Sequence, residues 1–291
     1  MSKKIRKLKP KLIQELKELQ KSRGEMQHFL TNFVLNLCHR SESMVFLREN
    51  YRPTDNGNLK DSKPFQVSVG LYVSSLVTCW ETLFRDLFVF IVDNDNDIYD
   101  RIYSFLQEKN IELDAVDAMD ISVSEYMSKQ FNFQDLAQTC EAFNFLFDRT
   151  EKKITDYFDE AINAIGAFQC SRPNYILHWL QQGNIALVKK EIFDTLEEAF
   201  NIRHKVIHDG NFYMEVIPEQ MAKIESCFVI FPQFITAWLA IKYNQKRMVA
   251  FEKNGGTVMV LTTDFIENSA IKILDVSDFS AKDYIVVPDT K

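Results

Sequence analysis

The sequence predicts an all-α fold that ends in a short β-rich segment. Three observations predict it. The chain of 291 residues carries 24 Phe but only 8 Gly and 7 Pro, and many long apolar side chains with few breakers suit long helices. Apolar residues recur at spacings of three and four along most of the chain, the period of a helix with one buried face. After Gly255-Gly256 the pattern changes to short Val- and Ile-rich runs with polar breaks, as short strands require. At 46% hydrophobic residues the chain can bury a substantial core, which argues against disorder. The length suits one large domain or one to two ordinary ones.

Residues 11–49 read as one or two helices, with Leu12, Leu16 and Leu19 opening a stripe that Phe29, Phe33 and Leu37 continue. Residues 52–64 form a polar Pro/Asn/Gly loop, in which Ser62 could cap the next helix and Pro64 suits its first turn. The strongest helical pattern covers 65–93, with Leu71, Ser74, Val77, Glu81, Phe84, Phe88 and Ile91 on one face. The run Asn94-Asp95-Asn96-Asp97 ends it. Shorter helical segments fill 98–150, with aspartate-rich breaks around 114–120, and another helix covers 151–168. Residues 185–209 form a helix with Ile192, Leu196, Ala199, Val206 and Ile207 on its buried side and Gly210 as its stop. A last long helix over 219–250 is expected to bend at Pro232. Residues 257–262, 270–276 and 283–287 read as two or three short strands. The domain reading is a basic helical segment and loop over 1–64, a helical domain over 65–255 and a β-rich tail over 256–291.

The net charge of −7 is uneven. Residues 1–23 hold nine Lys/Arg against two Asp/Glu, and the rest is acidic. The basic end is a candidate for contact with nucleic acid or a membrane surface, or simply a solvated helix start. The acidic body argues against a broad nucleic-acid binder but leaves room for a small basic cleft. Cys38, Cys79, Cys140, Cys170 and Cys227 are widely spaced, with no CxxC among them. This reads as a reduced, cytoplasmic protein with buried thiols. Neither a signal peptide nor a membrane span is expected: the most apolar stretch, 227–241, is too short and holds Pro232 and Gln233.

Two charged residues interrupt apolar stripes. Glu81 lies between Val77 and Phe84, and Arg203 lies between Ala199 and Val206. A charge sent toward a core is costly unless it is paired, so the two are expected to meet. Such a pair could be a salt bridge that only fixes helix register. Arg203 also opens the run Arg203-His204-Lys205-Val206-Ile207-His208-Asp209-Gly210. Arginine binds phosphate oxygens through its planar fork, and histidine moves protons near neutral pH. Together at a helix end, Arg203 and His208 could act on one phosphate. His204 and His208 share a helix face, as metal-binding pairs do, but no third ligand stands nearby and HExxH is absent. Neither a metal nor a cofactor is therefore expected. His208 could also be an ordinary histidine favoured by the helix dipole. GxGxxG, GxxxxGK[ST] and GxSxG are absent. His178, Trp80, Trp179 and Trp238 read as core residues.

The Arg203-to-His208 run, with the polar His204 after the arginine, resembles the RxxxxH motif of the HEPN superfamily. The segment Ser75–Leu87 around Glu81 is similar to the earlier helix of several HEPN branches, where an acidic residue supports the motif arginine. The likeness covers roughly residues 65–250. It implies an all-α bundle that dimerises with its motifs facing each other. It also implies metal-independent RNA cleavage by attack of the ribose 2′-hydroxyl on the adjacent phosphate. In that reading His208 is general acid or base, Arg203 stabilises the transition state, His204 orients groups or binds phosphate, and Glu81 holds Arg203. A toxin or defence effector, partnered by an antitoxin or another protein, is the role implied by family association. The alternative is a non-catalytic helical protein-interaction or nucleotide-binding module.

Overall fold

The computed structural model describes residues 9–24, 29–52, 58–109, 111, 120–147, 152–165, 169–170, 175–243, 251–253, 256–258 and 272–273. Among these the protein is all-α in its body. Ten α-helices appear in chain order: α1 (Pro10–Gly24), α2 (Phe29–Asn50), α3 (Lys63–Asn94), α4 (Tyr99–Glu108), α5 (Val123–Ser128), α6 (Leu136–Phe147), α7 (Ile154–Ile165), α8 (Tyr175–Gln181), α9 (Ile185–His208) and α10 (Pro218–Lys242). Short strands Gln169–Cys170 and Lys272–Ile273 pair in parallel. Phe251–Lys253 and Gly256–Val258 pair antiparallel. Most of the tail expected to form strands, including 283–287, lies outside the described residues, as do the aspartate-rich positions 114–119.

α3 is the axis of the fold. It packs against α2, α5, α6, α9 and α10, and it buries residues on most of its circumference. A helix apolar on nearly all sides must lie inside a bundle. Its start follows the expectation in part. Pro64 stands in the first turn and Ser62 is the N-cap, but the Ser62 hydroxyl makes no cap bond. It instead shares a 2.8 Å hydrogen bond with the Tyr51 hydroxyl at the end of α2, which ties the end of α2 to the start of α3. At the other end Asp95 leaves helical geometry. One carboxylate oxygen accepts from the Asp97 N–H, and the other accepts from the Tyr243 hydroxyl at 3.0 Å, which ties the end of α10 to the end of α3.

At the centre of α3 lies Trp80, fully buried. Its ring meets Phe84, Phe200, Phe228 and Phe231. Its Nε1–H donates to the Thr139 hydroxyl at 3.2 Å, so the one polar atom of the indole is satisfied. α3, α6, α9 and α10 therefore share one aromatic centre. Helices α1 and α2 belong to the same core, through Leu16, Leu30, Phe33, Leu37 and Met44. α10 runs through Pro232, where the Gln233 side chain donates to the Val229 carbonyl at 2.6 Å. That bond serves a carbonyl in the turn that the proline disturbs.

Four expectations need correction. Leu71 is 55% exposed and Ile207 is 53% exposed, although both were placed on buried faces. The reason is the crossing of α3 and α9. A Cβ built on Gly70 would stand 2.8 Å from Val206 Cγ2, so the helices are in tight contact at that pair. Leu71 and Ile207 each lie one residue, about 100°, past the contact. The third concerns His178, which is half-buried rather than core, with Nε2 3.3 Å from the Gln182 amide. Trp238 is likewise only partly buried, and its Nε1–H donates to Glu160 at 3.0 Å.

The closeness at Gly70 yields a prediction. Gly70→Val should cost about 1–3 kcal/mol through overpacking against Val206. Urea unfolding followed by far-UV circular dichroism measures it, and an unchanged midpoint would show that the crossing relaxes freely.

Candidate functional site

The site is built on the contact between α3 and α9. α9 starts cleanly: the Asn184 side chain accepts from the Leu187 N–H at 3.1 Å, and Gly183 before it takes a positive φ of 76°, a conformation glycine reaches without strain. The helix buries Val188, Ile192, Thr195, Leu196, Ala199, Phe200 and Ile202. Its stop is not Gly210, which shows no positive φ. The chain leaves the helix at Asp209, which is extended, with its N–H bonded to the Lys205 carbonyl at 2.8 Å. The Asp209 carboxylate then accepts from the Asn211 N–H at 2.9 Å. This Asx turn removes the need for a left-handed glycine.

Glu81 and Arg203 meet. Arg203 Nη2 lies 2.9 Å from Glu81 Oε1, and the side chains are 17% and 13% exposed. The contact is a charge contact: neither Glu81 Oε1 nor Arg203 Nε has a hydrogen-bond partner among the described residues. Burial raises the Glu81 carboxyl above its ordinary value, and Arg203 and then Arg85 pull it back down in part. Burial is the larger effect, so the two cations offset only part of what it does to the Glu81 carboxyl.

His204 and His208 are exposed, with ring centroids 4.7 Å apart. They stand one turn apart on the open face of α9. His208 is five residues from Arg203, about 140° around the helix, and no hydrogen bond or ion pair joins Arg203 to either histidine among the described residues. The structure thus brings Arg203 to Glu81 and His204 to His208, as two neighbouring pairs. No group of three metal-capable side chains occurs among the described residues. Beside the motif, α9 and the segment before α10 border a groove of about 600 Å³ lined by Asp194, Glu197, Glu198 and Glu215, with Lys205 and Tyr213. None of Arg203, His204 and His208 lines it, and its carboxylates would repel a phosphate.

Sequence reasoning missed a second layer of charge on α3. Arg23 of α1 pairs with Asp86 of α3 and Glu125 of α5, and both carboxylates are buried. Arg85, one turn beyond Glu81, is half-buried over the Phe133 ring at 5.8 Å. The available signal was Arg85-Asp86 set inside the apolar run Leu83 to Phe88, the same kind of interruption that pointed to Glu81.

Among the described helices none is long and apolar enough to cross a membrane. Cys79, Cys140 and Cys227 are free thiols, with burial pushing the first two up to about 11. No family model matches the chain, and neither a curated protein nor a solved structure matches it significantly.

A pH prediction follows from Glu81. Its folded value is raised, so the folded state holds that proton more tightly than the unfolded chain does. Relative to Glu81→Gln, the wild type should lose stability as pH rises from the ordinary glutamate range through the raised Glu81 value. The linkage sets the change with pH and not the offset, because Glu81→Gln also leaves the partly buried Arg203 without its counter-charge. Chemical denaturation of both proteins across that range is the check, and a wild-type advantage that grows with pH would overturn the sign.

Proposed function

We propose that this chain is a metal-independent endoribonuclease of HEPN type, working as a homodimer in the cytoplasm, in a toxin or defence role. The observation that carries the reading is the Glu81–Arg203 contact at 2.9 Å, beside two exposed histidines on the same helix end. Partly buried ion pairs fix geometry more than they stabilise, and this one holds a guanidinium at a set place. Catalysis needs such fixed charge.

The chemistry assigns a role to each residue. A base takes the proton of the ribose 2′-hydroxyl, and the 2′-oxygen attacks the adjacent phosphorus. The bond from phosphorus to the 5′-oxygen breaks, and an acid protonates that oxygen. The products are a 2′,3′-cyclic phosphate and a 5′-hydroxyl. His208 serves as acid or base. Arg203 offsets the extra negative charge on the phosphorane-like transition state. His204 binds or orients the phosphate, and Glu81 keeps Arg203 in place. A second copy supplies the second His208. Leu71 and Ile207, exposed on either side of the Gly70–Val206 contact, suit the apolar part of that interface. In this reading the helical frame is a HEPN-like bundle, the 256–291 segment is a β-rich appendage, and an antitoxin or other protein restrains the activity.

One observation favours a non-catalytic interaction or nucleotide-binding module instead. Arg203 is already engaged by Glu81 and only 17% exposed, and the neighbouring groove is acidic.

Incubation of the purified protein with a mixed RNA pool in EDTA separates the two. Cleavage by wild type that leaves cyclic phosphates, reduced about 10²-fold or more in His208→Ala, supports the ribonuclease. Full activity in His208→Ala, or no cleavage by a folded dimer, moves the assignment to the interaction module. The interface reading has its own check: Leu71→Asp with Ile207→Asp should sediment as a monomer and lose cleavage while keeping its helical circular dichroism.

A further inference from the structure

We propose that His204 and His208 form a two-histidine site for an exchangeable divalent transition metal such as zinc, and that an ion held there stops the two rings from moving protons. Only that catalytic consequence rests on the ribonuclease reading.

The spacing of the rings carries it. Residues four apart on a helix stand one above the other on the same face, and these two rings have their centroids 4.7 Å apart. An ion bound about 2.1 Å from an imidazole nitrogen lies about 3.2 Å from the centroid of that ring. Two rings set at about 90° to 110° around one ion then have centroids roughly 4.5–5.2 Å apart. The observed separation falls inside that window, so the helix backbone already sets the rings at chelating distance.

The surroundings favour a cation. Both histidines are exposed, and neither makes a hydrogen bond or ion pair among the described residues. They stand at the C-terminal end of α9, which closes at His208, and the negative end of a helix dipole favours positive charge. Asp209 follows directly, and the adjacent groove holds Asp194, Glu197, Glu198 and Glu215. The cations nearby are directed elsewhere. Arg203 is drawn to Glu81. Lys205 lies over the Phe212 ring at 5.7 Å and borders the groove.

The donor set fixes the class of ion. Imidazole nitrogens suit zinc, copper and nickel, whereas calcium and magnesium take oxygen ligands. No group of three metal-capable side chains occurs among the described residues, so the chain supplies two ligands and water fills the remaining positions. Such an ion exchanges, unlike a structural zinc closed by four protein ligands. Its effect on proton transfer is direct, because a ring nitrogen that gives its lone pair to a metal cannot take a proton. The ion is an inhibitor here, compatible with cleavage chemistry that uses no metal.

The test is ¹⁵N NMR of the histidine rings in the full chain, freed of metal with EDTA, exchanged into EDTA-free buffer and titrated with zinc chloride. Thiols also bind zinc, but the ring resonances report the histidines alone. His204→Gln and His208→Gln each assign one ring by its loss. In the wild type both rings should shift together on one curve that saturates at one zinc per chain. In either variant the remaining ring should need about tenfold more zinc or above, since losing even a hydrogen-bond partner of a metal ligand costs about that much. A remaining ring that still titrates at the wild-type zinc concentration, or wild-type rings that shift separately or not at all, overturns the proposal. Circular dichroism checks the fold of the variants. If one does not fold, the other gives the same comparison, and if neither folds, the wild-type curves decide. RNA cleavage is followed at the same zinc concentrations. Half-inhibition should fall at the NMR midpoint, and EDTA should restore activity. Cleavage that persists past that midpoint overturns the catalytic consequence alone. If the wild type cleaves no RNA without zinc, the ribonuclease reading fails, and the NMR result still decides the metal site.

Discussion

The burial of Trp80 is the constraint on which the rest of the structure depends. An indole fully removed from water brings a large apolar area with one N–H that must be satisfied. Phe84, Phe200, Phe228 and Phe231 supply the first requirement and Thr139 the second. Those partners come from α3, α6, α9 and α10, so one side chain sets how four helices stand together. Glu81 follows Trp80 directly in the chain. Once the indole is fixed among these rings, the next residue must emerge toward α9, and Arg203 lies three residues beyond Phe200. The candidate site is thus a by-product of the aromatic centre: its two charges are held by residues that carry no charge.

Charge inside this bundle is concentrated along α3. Glu81, Arg85 and Asp86 interrupt an apolar helix within six residues; Glu81 and Asp86 find opposite charge on other helices, and Arg85 lies over the Phe133 ring. Buried ion pairs of this kind contribute little to net stability, because desolvation offsets attraction. They do fix geometry. The Arg23 pairs with Asp86 and Glu125 hold the basic first helix against α3 and α5, while Glu81 holds Arg203 on α9. The exposed histidines are different. His204 and His208 lie where α9 ends, free of the core, where a substrate could reach them. A rigid cation beside accessible proton carriers is the division of labour that phosphate chemistry uses.

The acidic groove beside the motif sets a direction of approach. Asp194, Glu197, Glu198 and Glu215 would repel a polyanion there. In the proposed function a phosphate meets α9 on the side of His204 and His208. The acidity of the chain as a whole, with its basic first 23 residues, fits a protein whose contact with an anion is local.

The sequence by itself determined the helical class, the order of the helices and the meeting of Glu81 with Arg203. Periodicity reports which side of a helix faces apolar surroundings, and a charge placed on such a side demands a partner. Asp95 at the end of α3, within the Asn94–Asp97 run, belongs to the same legible class, because helix ends are local chemistry. Only the tertiary structure decided the rest. Leu71 and Ile207 fit their apolar stripes in sequence yet lie exposed, since the Gly70–Val206 contact, 136 residues apart in the chain, fixes where the helices touch. His208 stands about 140° from Arg203, and the structure pairs it with His204 rather than with the arginine. The sequence marks Arg85-Asp86 as charges in an apolar run, but it does not show that Arg23 pairs with Asp86 and Glu125. Those pairs depend on which helices lie beside α3, and no spacing along the chain records that.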